Sequence, residues 1–204
     1  MVNQEYILTK SGELFLKYGL KSISMDDIAR HLAISKKTIY QFFKDKNEIV
    51  EHFVKFYLEQ KIKQVEEISK NAVNVLEELY KTSIMMKEMI SSINPTMLYD
   101  LKKYHPKAWI YYQNYRRSVL EDHIYHSIER GKKEGYFRKE VNSKILARLR
   151  VELIDLAFDR DIFDPNEFNI TDVQMQFFEN FIYGLLTLKG QKNYNRFKNI
   201  IEEE

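Results

Sequence analysis

An all-α fold is predicted by three features of this 204-residue sequence. Apolar residues recur at three- and four-residue spacings through most of the chain, which places them on one face of a helix. Glycine and proline, the residues that punctuate loops, number only six and three. No turn pair sits between two alternating segments, so hairpins are not expected. With 44% hydrophobic, 14% aromatic and 30% charged residues, the chain has ample material for a core and is not of the disordered class.

The first helix is expected over Tyr6 to Tyr18, with Ile7, Leu14, Phe15 and Tyr18 on the packing face and Gly19 as the stop. Gly12 inside it costs roughly 1 kcal/mol against alanine, and the sequence offers no functional counterpart to that cost. The stretch SMDDIARHLAISKKTIYQFFKDKNE, Ser24 to Glu48, then reads as a helix, a tight turn and a second helix. Ser24 is a good N-cap with Asp27 as a near-capping-box partner, Ile28 and Leu32 share a face, and Ala29 lets another helix approach. After the turn at Ala33 and Ile34, Ser35 caps the second helix, whose inward residues are Ile39 and Phe42 or Phe43.

This leaves Lys36, Lys37, Thr38, Tyr40 and Gln41 at the exposed N-terminal end of the second helix. Two cations, two hydroxyls and an amide beside free helix N–H groups are what DNA phosphates and base edges call for. Asp45 and Glu48 begin a third helix near Lys46, whose charge points to the same side. Net charge is only +2, yet between residues 36 and 46 Lys36, Lys37, Lys44 and Lys46 face the single acid Asp45.

Beyond Lys46 a long helix without breakers is expected to about Ser69, a further one over Asn71 to Ile93 ended by Pro95, and a short piece over Thr96 to Tyr104. Lys107 to Lys133 reads as one helix closed by Gly131 and Gly135. Asn142 caps another from Ser143 to about Arg160, Asp164-Pro165-Asn166 marks a turn, and the last major helix spans Ile170 to Lys189, where Gly190 stops it. The charged tail to Glu204 is expected to be helical. Domains are placed at residues 1–48, a helix-turn-helix unit, and 49–204, a larger helical part.

The first fifty or so residues resemble the tetracycline-repressor (TetR) family of bacterial transcription regulators. The resemblance rests on I-L-x-x-x-x-x-L-F-x-x-x-G at Ile7 to Gly19, S-M-D-D-I-A at Ser24 to Ala29, and I-S-x-x-T-I-Y-x-F-F-x-x-K at Ile34 to Lys46. Ala33 departs from the family's usual turn glycine, Lys10 and Ser11 from a usual pair of alanines, and Phe42 from a common tyrosine. The resemblance implies a homodimeric repressor that binds a palindromic double-stranded operator and is relieved by a small-molecule effector. It makes Tyr40 and Lys46 phosphate contacts and Lys36, Lys37 and Gln41 base readers; Ser35 and Thr38 complete the expected DNA-binding set, with the alternative that Thr38 only caps its own helix.

On the last major helix Val173, Phe177, Phe181, Gly184 and Leu188 form one stripe, and Phe178, Ile182, Leu185 and Leu186 another. One faces the chain's own core, and the second needs a partner. The dimer candidates are Phe177, Phe181, Gly184, Leu185 and Leu188; the competing reading buries the helix on both sides within one chain. Effector-pocket candidates are Met85, Met89, Trp109, Tyr112, Tyr115 and Phe158, weighed against an ordinary core role. Glu152 and Asp155 lie in an otherwise apolar helix, where they would orient a cationic ligand or, for Glu152, answer Arg148 four residues earlier.

His123 and His126 are three apart but lack further ligands at metal-site spacing, so no metal is expected, and no cofactor. No catalytic motif is present, and an enzyme is not expected. Zero cysteines exclude disulfides. No signal segment and no apolar run of membrane-spanning length occurs, so the chain is expected in the cytoplasm with no membrane partner. The alternative function is a helical protein-interaction module that keeps the DNA-binding unit only as a scaffold, and a small enzyme built on His105, His123 and His126 stands third.

Overall fold

A computed structural model describes residues 2–199. Among them lie eleven α-helices and one isolated β-bridge, so the all-α class holds. They are α1 (Gln4–Tyr18), α2 (Met25–Leu32), α3 (Lys36–Tyr40), α4 (Lys46–Asn71), α5 (Val75–Ser91), α6 (Met97–Tyr104), α7 (Pro106–Tyr115), α8 (Glu121–Lys133), α9 (Ser143–Leu156), α10 (Ile170–Leu185) and α11 (Leu188–Phe197). The expected helix toward Glu204 falls partly outside the described residues. The chain divides into two compact units, Met1–Lys61 with Ser92–Tyr115, and Ile62–Ser91 with Arg116–Glu204.

In the first unit the N-terminal helices start where their caps dictate. Asn3 Oδ1 accepts from the Tyr6 amide at 2.8 Å, and Ser24 and Asp27 close a reciprocal capping box. Gly19 ends α1 at φ 82°, a conformation that suits glycine. Ala33 holds φ 54° and ψ 39°, left-handed without a glycine, at a cost of roughly 1 kcal/mol. Ile7, Phe15, Ile28, Ile39, Phe43 and Ile49 form the fully buried centre of this unit. Gly12 also gains its explanation here: the ring of Phe53, stacked edge-on to Phe15 at 5.6 Å, fills the space that a Cβ at residue 12 would take.

The segment after residue 91 returns to this unit. Asn94 donates its amide to the Leu16 carbonyl at 2.7 Å, and the buried Asp100 accepts from the Lys21 amide at 2.9 Å. Met97, Leu101, Ala108 and Tyr112 complete the core.

The second unit corrects several sequence expectations. Asn74, not Asn71, starts α5 by accepting from the Leu76 and Glu77 amides. The expected single helix over Lys107 to Lys133 is interrupted by a π-helical turn, Arg116–Leu120, where buried Arg116 is drawn toward α9. Gly131 does not close α8 but lies inside it, because the Phe137 ring packs on its bare Cα. Nor does Gly190 stop the last major helix: α10 ends at Leu185, where Phe137 and Leu186 form an antiparallel bridge. Arg138 donates to the Leu185 carbonyl and Thr187 to that of Tyr136, both at 2.8 Å, which draws these groups out of the helical ladder. Thr187 then caps α11, with Gly190 in its first turn against the Tyr136 carbonyl. No helix among the described residues is long and apolar enough to cross a membrane.

Candidate nucleic-acid interface

The geometry of α3 follows from its caps. Ser35 Oγ accepts from the Thr38 amide at 3.1 Å, and the two hydroxyls sit 2.9 Å apart. Ile39 and Phe43 are buried and pin the helix to the core, which settles the choice between Phe42 and Phe43 in favour of the latter. With that face fixed, Ser35, Lys36, Lys37, Tyr40 and Gln41 are exposed, Tyr40 at 51%, and Thr38 is half-buried. Lys36 is partly committed, since its Nζ lies 3.0 Å from Asp26 and that carboxylate raises its pKa. Lys37 makes no ion pair among the described residues.

Lys46 differs from the expectation of a freely projecting charge. It is half-buried at the start of α4, with Nζ 3.5 Å from the Lys21 carbonyl, and burial lowers its pKa against the opposing pull of Asp100 and Asp27. The start of α4 is fixed by Asp45, which accepts from the Glu48 amide at 3.0 Å, while Glu48 accepts from Lys44 N.

Residues 7–53 match the family model described as bacterial regulatory proteins, tetR family. The HTH-type transcriptional regulator YvaF of Bacillus subtilis is 34% identical over 106 residues, 51% of this chain and 55% of that protein. The chain thus aligns with about half the length of this relative. The crystal structure of a TetR-family transcriptional regulator from Agrobacterium tumefaciens superposes with a TM-score of 0.74 at 17% identity, covering 90% of this chain and 97% of that one.

The N-terminal segment thus matches the tetR family model, and the whole chain shares the fold of solved TetR-family regulators.

A transcriptional regulator from Saccharomonospora viridis, solved in complex with choline, has the same fold at a TM-score of 0.72 and 20% identity, covering 90% of this chain and 97% of that one. The effector-pocket candidates of this chain are divided between its units. Trp109, Tyr112 and Tyr115 lie on α7 in the first, with the Trp109 and Tyr112 rings 5.5 Å apart and both tyrosines buried. Met85, Met89 and Phe158 lie in the second, each half-buried, whereas the buried methionine of α5 is Met86. The second unit also holds charges that the sequence reading passed over. Buried Arg116 binds Asp155 at 2.6 Å and Glu152 at 3.0 Å, and buried Glu78 binds Arg130 at 2.9 Å. Glu152 and Asp155 therefore answer Arg116, while Arg148 answers Glu121 at 2.5 Å.

Of the dimer candidates, Phe177 and Phe181 are half-buried and Gly184 is exposed. Leu188 belongs to α11 and is 83% exposed, whereas Leu185 is fully buried in the chain's own core beside Phe178 and Ile182. The resemblance implies that the last two major helices pair with their copies, but the sequence reading names no dimer residue on α9, where Ile145, Leu149 and Leu156 are exposed.

His123 lies 3.9 Å from Glu78 and His126 3.6 Å from Asp122. His105 is buried in the first unit with Nδ1 2.8 Å from Asn47 Oδ1 and Nε2 without a partner. Burial, then nearby Lys46, lowers its pKa below 6.5, while Asp100 pulls the other way. The unfolded chain therefore takes up a proton that the folded chain resists, and stability falls as pH drops through 6.5. Carboxylates add acid sensitivity only at lower pH. Melting curves from about pH 7.5 down to about pH 5 should show a shallower loss of Tm in His105→Gln than in the parent. His123, also lowered by burial, accounts for slope that remains.

Proposed function

We propose that this chain is a TetR-family, homodimeric DNA-binding transcriptional regulator, a repressor whose grip on a palindromic operator is relieved by a small-molecule effector. The observation that carries the reading is α3 itself. Its buried Ile39 and Phe43 leave Lys37, Tyr40 and Gln41 exposed on a Ser35-capped helix. Two such helices, one per subunit, would enter successive major grooves about one helical turn apart. The second subunit is expected against α9 and α10, whose Ile145, Leu149, Phe177 and Phe181 leave apolar surface on the monomer. Residues 49–204 would hold the effector site, and an effector can shift the equilibrium only by its differential affinity for the two states.

Selection of bound duplexes from a random pool should enrich a palindrome. Affinity for it should drop steeply from about 50 to 200 mM salt as phosphates are neutralised. Lys46→Ala should weaken all sequences alike and reduce the salt slope by about one. Lys37→Ala and Gln41→Ala should instead relax the preference at particular positions by about 1–3 kcal/mol. A salt-independent profile, or failure to enrich any sequence, would overturn the proposal.

A further inference from the structure

Arg150 carries chemistry that this regulatory reading does not use. It sits on α9 with 4% of its surface exposed, reaching between α5 and α10. Its Nη2 donates to the Met86 thioether at 3.2 Å, and its guanidinium lies over the Phe178 ring, 5.4 Å from the centroid. Nη1 is buried without a hydrogen-bond partner. Among the described residues no carboxylate pairs with it, whereas Arg116 and Glu78 in the same unit have oppositely charged partners.

Sulfur is a weak acceptor and a ring face cannot neutralise a charge, so the cation is buried at a cost. Burial pushes its pKa down to about 10, which still leaves it charged at neutral pH. On the same α9–α10 seam, Gln174 on α10 gives its Nε2 to the Ile154 carbonyl at 2.7 Å and leaves Oε1 unmet. That acceptor and the Arg150 donor fork both lie along the seam between α9 and α10. Met86 is the most adaptable element of the arrangement, an unbranched chain with three rotatable bonds.

We propose that Arg150 is the seat of an organic monocarboxylate effector, whose oxygens replace the Met86 sulfur on the guanidinium and whose apolar body takes the space Met86 yields. A carboxylate matches the planar fork of arginine and balances its single charge; a phosphate dianion would leave a negative charge buried among apolar side chains. The inference rests on the ligand-responsive reading above for its consequence on DNA, but not for the binding itself.

The test uses the full-length chain and thermal melts with straight-chain carboxylates from acetate to dodecanoate, benzoate and phenylacetate. The corresponding primary amides, choline and inorganic phosphate serve as comparisons. At least one carboxylate should raise Tm while its amide, choline and phosphate do not. Arg150→Gln should lose that affinity by about 10- to 100-fold, the worth of a charged hydrogen bond. Arg150→Met without ligand should melt at or above the parent temperature, because an unmatched buried charge has gone. Met86→Ala should bind the same carboxylate at least as tightly.

No carboxylate in the series raising Tm, an equal shift in Arg150→Gln, or strong destabilisation by both Arg150 substitutions would each overturn the proposal. The last outcome would make Arg150 a structural residue. On DNA selected from the random pool, Arg150→Gln should bind like the parent but ignore the carboxylate. A carboxylate-dependent melt in a chain that binds no DNA would sink the regulatory reading and leave the site standing.

Discussion

Gly131→Ala should cost this protein about 2–3 kcal/mol, although alanine in a helix interior is normally favoured over glycine by nearly 1 kcal/mol. The sign reverses because Phe137 lies against the glycine: three atoms of its ring occupy the space of the missing Cβ. The ring has nowhere to retreat, since Phe137 is 1% exposed and its backbone is tied to Leu186 by the antiparallel bridge. Its amide also donates to the Gly131 carbonyl at 3.0 Å, so the strand-like segment and the helix are fastened at the point of contact. Urea unfolding measures the loss. In a Phe137→Ala background, itself about 3–5 kcal/mol less stable from the cavity left behind, the Gly131→Ala change should become neutral or favourable. A penalty unchanged by removal of the ring would show that the contact is not its cause.

Asp155→Asn should be nearly as damaging, at about 3 kcal/mol, while Glu152→Gln should cost under about 1 kcal/mol. Both carboxylates bind Arg116, but the Asp155 side chain is 24% exposed and holds Nη1 at 2.6 Å, whereas that of Glu152 is 51% exposed at 3.0 Å. Removing the Asp155 charge leaves a guanidinium with 3% exposure whose remaining carboxylate partner, Glu152, is hydrated, beside the neutral Val151 carbonyl at 2.9 Å. Solvent screening discounts the Glu152 contribution, and the same screening makes it a poor substitute. Chemical denaturation of the two variants reports the difference directly, and equal losses would mean that burial does not rank these pairs.

The helix-turn-helix was legible because its information is local. Ser24, Asp27, Ser35 and Asp45 each cap a helix within three residues of themselves, and Ile28, Ile39 and Ile49 occupy positions that only one helical face can bury. The cationic end of α3 could be read from the same spacing. The interior of the second unit was less legible because its determinants are remote in sequence. Arg116 meets Asp155 across 39 positions and Arg150 meets Met86 across 64. Nothing near Arg150 marks it as different from Arg148, which pairs at the surface with Glu121, or near Leu185 as different from Gly184 beside it. The histidine and glycine readings divide the same way: Gly19 is explained by its own φ, and Gly12 and Gly131 only by a ring brought from elsewhere.

By itself, then, the sequence determined the all-α class, most of the helix starts and the exposed face of α3, because caps and 3.6-residue periodicity act over a few residues. Only the tertiary structure decided where α10 stops, which charges are matched and which arginine is left buried without a counter-ion. Those outcomes depend on side chains and backbone groups meeting across distances that no local pattern encodes, and on burial, which turns a modest surface charge into one that must find a partner.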